Sequence, residues 1–273
     1  MKVLLVADME GISGVTLWEQ VTPGQSEWQR FRRLMTEDVN AVVDGLMSAG
    51  ADEVVVVDAH WKSNNILIEQ LDERAVLQSG TPAPLSMLEG IQEDVDAAVF
   101  IGAHARVGTA QAILDHTWSS NVVSDVWLND MPIGEFGLNA LLSGEFDVPV
   151  LMVSGDQAVA KEAKDWIPDI YTAVVKQAKG RYAAACLSPK QSHTLLRETA
   201  ASALTQWKKS HRPLPIKTTF PVKIQLSLRH TAMADRVQFF PGVTRLDGRM
   251  VSFETETMLD IYRLFRAVVA LAG

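Results

Sequence analysis

Acidic and imidazole side chains fall at recurring places in this chain. Asp8 and Glu10 stand in Ala7-Asp8-Met9-Glu10-Gly11, directly after the apolar run from Val3 to Ala7. His60 follows the β-branched run Glu53 to Val57 by way of Asp58 and Ala59. His104 follows Ala97 to Ile101 across Gly102 and Ala103, and Glu135 opens a helical pattern after Gly134. Two imidazoles and three carboxylates make a donor set that suits zinc, and to a lesser degree manganese or cobalt. Five donors are too many for one tetrahedral zinc that keeps a water position open. They suffice for two ions if one carboxylate bridges. Asp8 or Glu10 is the natural bridge, because residues i and i+2 of extended backbone point the same way. Gly11 and Gly14 relieve crowding where the chain turns close to such a centre. The chemistry of a metal pair of this kind is hydrolysis at a polarised carbonyl or phosphoryl group.

A single Asp after a strand ordinarily caps a turn, so convergence depends on the elements that carry these residues. Val3–Ala7, Glu53–Val57, Ala97–Ile101 and Val148–Val153 read as strands buried on both faces. Trp28–Met47 shows helical spacing and stops at Gly50, and a helix is predicted from about Gly134 to Leu142. This alternation predicts an α/β fold, a mainly parallel sheet with helices on both faces. Ligands of such sheets bind beyond the carboxyl ends of the strands. Three strand ends would therefore deliver Asp8, Glu10, His60 and His104 to one rim. Val122–Leu128 and Thr172–Lys176 are further strand candidates. A helix is expected over Pro189–Lys208, an extended stretch over Pro213–Leu228, a strand over Val251–Glu254 and a closing helix over Thr255–Ala272. The change of texture predicts a metal-binding catalytic α/β domain over residues 1–180. A smaller C-terminal α+β subdomain would follow over 181–273. His193, His211 and His230 lack a strand-end setting and are expected to be structural or at the surface.

The chain has 273 residues and a net charge of -8. No clustered basic surface is evident, which argues against nucleic-acid and membrane partners. The densest basic runs, Arg30–Arg33 and Lys208–Arg212, read as solvated helix faces. A single cysteine, Cys186, excludes an internal disulfide and lies in an apolar run, so it is expected to be buried. The N-terminus lacks the features of a signal peptide, and no apolar run approaches the ~20 residues of a membrane span. A cytoplasmic protein is expected.

The segment Asp8-Met9-Glu10-Gly11-Ile12-Ser13-Gly14 resembles the opening motif of the zinc D-aminopeptidases encoded with bacterial dipeptide transporters. His60 with Asn64-Asn65, Gly102-Ala103-His104-Ala105-Arg106, and Asn129-Asp130 through Gly134-Glu135-Phe136-Gly137-Leu138-Asn139 are similar to that family too. Pro149–Val153 and Val175-Lys176-Gln177 extend the likeness, which covers about the first 190 residues well. The resemblance implies a binuclear zinc site from Asp8, Glu10, His60, His104 and Glu135. It also implies that His116, in Leu114-Asp115-His116-Thr117, is a catalytic residue near the metals. It implies short peptide substrates with an N-terminal D-residue such as D-Ala, and a homo-oligomer in the form of a ring-shaped decamer. The chain departs from the family pattern in a loop one residue longer between His104 and His116. Trp61 stands where a small polar residue is expected, and Trp118 follows His116 by two; each could be a core or interface aromatic or could line the pocket.

Two other readings fit the same donors. A metal-dependent phosphoesterase uses such sites equally well, but near this one only Arg106 could meet a phosphate. A non-catalytic metal-binding scaffold would keep the fold without turnover, yet nothing in the ligand set is degraded.

Overall fold

The computed structural model describes residues 1–273. The chain opens with β1 (Lys2–Ala7), α1 (Trp28–Ser48), β2 (Glu53–Asp58), β3 (Ala75–Gln78) and β4 (Ala97–Ile101). It continues through β5 (Val123–Leu128), β6 (Met131–Pro132), α2 (Glu135–Glu145), β7 (Val150–Asp156), α3 (Gln157–Trp166), β8 (Tyr171–Gly180) and β9 (Ala183–Cys186). The last third holds α4 (Pro189–Ser210), β10 (Val222–Leu228), α5 (Thr231–Val237), β11 (Thr244–Arg245), β12 (Met250–Thr255) and α6 (Met258–Ala272).

Seven strands form one sheet in the order β3-β2-β1-β4-β7-β8-β9, parallel except for the β8–β9 hairpin. β1 is central, with Leu4 opposite Val55 on one side and Ala98 on the other. Both faces of β1 are covered, which is why it reads as an unbroken apolar run. Val3, Leu5 and Ala7 enter the core shared with α1 and α4. Leu4 and Val6 enter the opposite core with α2, α3, α6 and the second sheet. The second sheet runs β11-β12-β10-β5-β6, and all its pairings are antiparallel. No helix is long and apolar enough to cross a membrane.

The parallel sheet with helices on both faces is present, and so is a second α+β layer. The chain does not pass from one sheet to the other at a single point, however. β5 and β6 leave for the second sheet before β7 and β8 complete the first, and residue 180 lies at the turn between β8 and β9. α4, beyond that turn, packs on α1 across the first sheet. α3, absent from the sequence reading, is capped by Asp156, whose side chain accepts from the amides of Ala158 and Val159. Within the stretch expected to be extended, only Val222–Leu228 joins a sheet. Cys186 is exposed rather than buried. It ends the edge strand β9, where an alanine run has only one neighbour to cover it.

Candidate metal centre

The rim is built where β1, β2 and β4 end side by side. Tight backbone approach sets the spacing. The Gly11 amide donates to the Gly102 carbonyl, and a Cβ at Gly11 would lie 2.1 Å from the Ala103 carbonyl oxygen. Gly102 adopts φ +66, and a Cβ there would lie 2.0 Å from the Asp8 carbonyl oxygen. No side chain fits at either position, so the loops carrying Asp8 and His104 interlock. The expected Gly14 turn is also present, at φ +82. Beneath this loop Lys176, 1% exposed on β8, aims its Nζ at three carbonyls. It donates to Glu10 at 2.6 Å, Ile12 at 2.9 Å and Val15 at 2.8 Å. Every proton of the ammonium is used to hold the backbone that presents Glu10.

All six residues expected at the site line one cavity of about 420 Å³. The three histidines share one arrangement. His60 Nε2 lies 2.7 Å from the Val21 carbonyl oxygen, while Nδ1 faces Glu10 Oε2 at 3.1 Å and Asp8 Oδ1 at 3.2 Å. His104 Nδ1 lies 3.1 Å from its neighbour's carbonyl at Ala105, and Nε2 faces Glu135 Oε1 at 3.0 Å and Asp8 Oδ2 at 3.5 Å. His116 Nδ1 lies 2.8 Å from the Leu114 carbonyl, and Nε2 faces Glu10 Oε1 at 3.7 Å and Glu135 Oε1 at 3.8 Å. A nitrogen that donates to a carbonyl fixes the tautomer and leaves the other with a lone pair for a metal or a proton. His104 and His116 stack with centroids 3.8 Å apart.

The carboxylates are held as firmly. Asp8 accepts from the Met9 amide and Glu135 accepts from the Trp118 amide. Asp58 accepts from the amides of Asn65 and Ile66, and the Asn65 side chain donates to the His60 carbonyl. Asp58 thus shapes the loop that carries His60 and is no member of the donor set. The β8–β9 turn supports His116 from the far side. Arg181 Nε meets Asp115 Oδ1 at 2.7 Å, and its Nη2 donates to the Asp115 carbonyl at 2.9 Å. Its guanidinium lies 5.8 Å from the Trp18 ring, which stands edge-on to His116 at 5.3 Å.

Burial, and next the charge of Glu10, push Asp8 up to about 7. Burial also opposes ionisation of Glu10, but the imidazoles of His60, His116 and His104 outweigh it and hold Glu10 well below the carboxylate range. For His104 burial is outweighed by Glu135, Asp8 and Glu10, which raise it to about 10. His116 goes the other way: burial and the neighbouring His104 lower it. Glu10 Oε2 is buried without a well-aligned hydrogen bond, despite its approach to His60. A buried carboxylate oxygen without a hydrogen bond, faced by imidazole nitrogens, is what a cation site presents. One donor atom each from Asp8, Glu10 and His104 lie within 4.8 Å of one another, and so do those from His104, His116 and Glu135. The residues fit zinc by donor type, and Asp8 turns one oxygen to each side. The geometry by itself also lets His116 be a ligand.

The two tryptophans differ. Trp118 packs edge-on against Tyr262 and Phe265 and also lines the cavity, whereas Trp61 is 57% exposed at its mouth. Of the remaining histidines, His211 caps the end of α4, His230 precedes α5, and His193 contacts Asp38. Lys176 and Arg181 had no assigned role in the sequence. A charge inside the run Val174-Val175-Lys176 was a readable signal, since buried strands rarely carry one. Nothing marked Arg181.

The D-aminopeptidase family profile matches residues 1–267. A D-aminopeptidase of Bacillus subtilis (strain 168) is 39% identical over 275 aligned positions, covering 100% of this chain and 98% of the relative. The solved structure of the Zn-dependent D-aminopeptidase DppA from Bacillus subtilis, a self-compartmentalizing protease, superposes with a TM-score of 0.95. It shares 37% identity and covers 100% of this chain and 98% of its own. With a full-length match in sequence and fold, this chain belongs to the D-aminopeptidase family and is a metallo-aminopeptidase.

Proposed function

We propose that this chain uses two zinc ions per subunit to remove the N-terminal D-residue, D-Ala above all, from short peptides. The carrying observation is the wiring of the three histidines, each pinned to a carbonyl and turned toward three carboxylates in one cavity. Asp8, Glu10, His60, His104 and Glu135 would hold the ions between them. When bound, such a pair supplies a Lewis acid for the scissile carbonyl and lowers the pKa of water toward neutrality.

His116 is the proton carrier. Burial lowers its pKa, and the Leu114 carbonyl takes up its Nδ1. Nε2 is left to accept a proton from the attacking water and return it to the leaving amine. A cavity with one cationic side chain and no phosphate cradle gives no support to the phosphoesterase reading. The likeness to a self-compartmentalizing protease supports a closed homo-oligomer, for which we infer a ring-shaped decamer. The lone, unpaired Cys186 fits a cytoplasmic setting.

Zinc content and turnover of D-Ala-D-Ala and L-Ala-L-Ala, measured on wild type and three variants, test this. Wild type should carry two zinc ions and cleave the D-dipeptide. His60→Ala and His104→Ala should lose zinc and turnover together. His116→Ala should keep zinc and lose turnover by roughly a hundredfold or more. Loss of zinc from His116→Ala would make it a ligand instead, and cleavage of the L-dipeptide alone would overturn the D-specificity.

A further inference from the structure

We infer that Lys62 is a binding site for the free C-terminal carboxylate of the peptide, so that the enzyme selects short peptides with an unblocked end. The inference rests on the aminopeptidase reading and adds the chemistry of the substrate's far end. Lys62 is the only lysine or arginine lining the cavity, whose floor carries Asp8, Glu10 and Glu135. It is exposed, makes no hydrogen bond and has no carboxylate within 4.0 Å, unlike Lys2, Lys161 and Lys217. An unpaired ammonium at the mouth of an acidic cavity is free to meet an anion that arrives with the substrate.

The backbone that presents it is built for the purpose. Trp61 and Ser63, on either side, both occupy the left-handed region at φ 55 and φ 54. Non-glycine residues hold that conformation at a cost of order 1 kcal/mol or more, and such strain clusters at ligand sites. Hydrogen bonds enforce it here. The Ser63 amide donates to the His60 carbonyl at 2.9 Å, and the Ser63 carbonyl accepts from the Gly80 amide at 2.7 Å and the Ser79 hydroxyl at 2.6 Å. The loop therefore couples Lys62 to His60, two residues away at the centre. The Trp61 ring, also lining the cavity, lies 6.3 Å from that of His60.

The charges orient a peptide in one direction. Its N-terminal residue lies over the donors of the floor, and its carboxylate end is drawn to Lys62 at the rim. In a cavity of about 420 Å³ only a peptide of a few residues reaches both. A longer chain would carry its carboxylate past the rim and forgo the contact.

The test compares D-Ala-D-Ala with its C-terminal amide, D-Ala-D-Ala-NH2, on the zinc-loaded full chain. For wild type, kcat/KM should favour the acid by about tenfold, a single ion contact. Lys62→Met should bring that ratio near one, chiefly through KM for the acid, and Lys62→Glu should invert it. Added salt should raise KM for the acid in wild type more than in Lys62→Met. Equal cleavage of acid and amide by wild type, or an unchanged preference in Lys62→Met, would overturn the inference while leaving the aminopeptidase reading intact. Cleavage of neither peptide would overturn both.

Discussion

The residues of the candidate site were legible in proportion to how far the fold dictates their place. Asp8, Glu10, His60 and His104 follow strands that read plainly as strands, and parallel pairing puts strand ends at one rim. His116 sits in an irregular loop whose path no periodicity encodes, so only family resemblance singled it out. Its support was less visible still. Arg181 reaches Asp115 across 66 positions of sequence and grips both the carboxylate and the carbonyl next to His116. That grip predicts a selective lesion. Arg181→Met should keep its zinc and its KM but lose kcat by roughly tenfold to a hundredfold, because a proton carrier displaced by about an ångström misses its partner. Arg181→Lys, which keeps the charge without the fork, should recover only part of this. Zinc analysis beside steady-state kinetics checks it. A parallel fall in bound zinc would assign Arg181 to the integrity of the whole site rather than to His116.

Strands buried on both faces and long helices showed themselves as runs and periods, and the boundaries of β1, β2, β4 and α4 lie close to those expected. The second sheet did not show itself in the same way. β5 pairs with β10 across about a hundred residues, and nothing local in Val123–Leu128 says that its partner is antiparallel and distant. The α1–α4 layer is another long-range fact. The helices approach so closely that a Cβ at Gly45 would lie 2.3 Å from the Arg197 carbonyl oxygen. Near this seam His193 of α4 stands 3.3 Å from buried Asp38 of α1, which also accepts from the amide and hydroxyl of Ser13. The Asp38 carboxylate raises the pKa of His193, and Glu37 adds a smaller push. A folded pKa above the ordinary value of about 6.5 means that the contact stabilises fully below that pH. Its contribution is lost as pH rises through the folded value. The histidine is partly exposed, so solvent screening limits the contact to about 1 kcal/mol. The melting-temperature gap between wild type and His193→Gln should therefore be widest near pH 5.5 and should close by pH 8.5. A gap that widens with pH would contradict the pairing.

The metal site is also a joint of the whole molecule. Its donors come from the ends of β1, β2 and β4, from the loop that holds His116, and from the start of α2, next to the chain's excursion into the second sheet. These segments meet around three buried carboxylates, where burial, and next the charge of Glu10, push Asp8 up to about 7. Protons on the imidazoles can offset the buried negative charge only while they are bound, whereas bound zinc offsets it across the working pH range. Zinc that binds the folded chain and not the unfolded one stabilises by about 4 kcal/mol at a thousandfold excess over its dissociation constant. At roughly 2–4 °C per kcal/mol for a chain of this size, stripping the metal should lower the melting temperature by about 10 °C. Re-added zinc should restore it, and Trp18 and Trp118, both lining the cavity, offer a fluorescence signal for the change. The fall should be steeper at pH 8 than at pH 6, because Asp8, pushed up to about 7, takes on its buried charge between the two. A protein verified free of zinc that melts where the loaded one does would mean that the donors are held together by the fold alone, with no stability drawn from the ions.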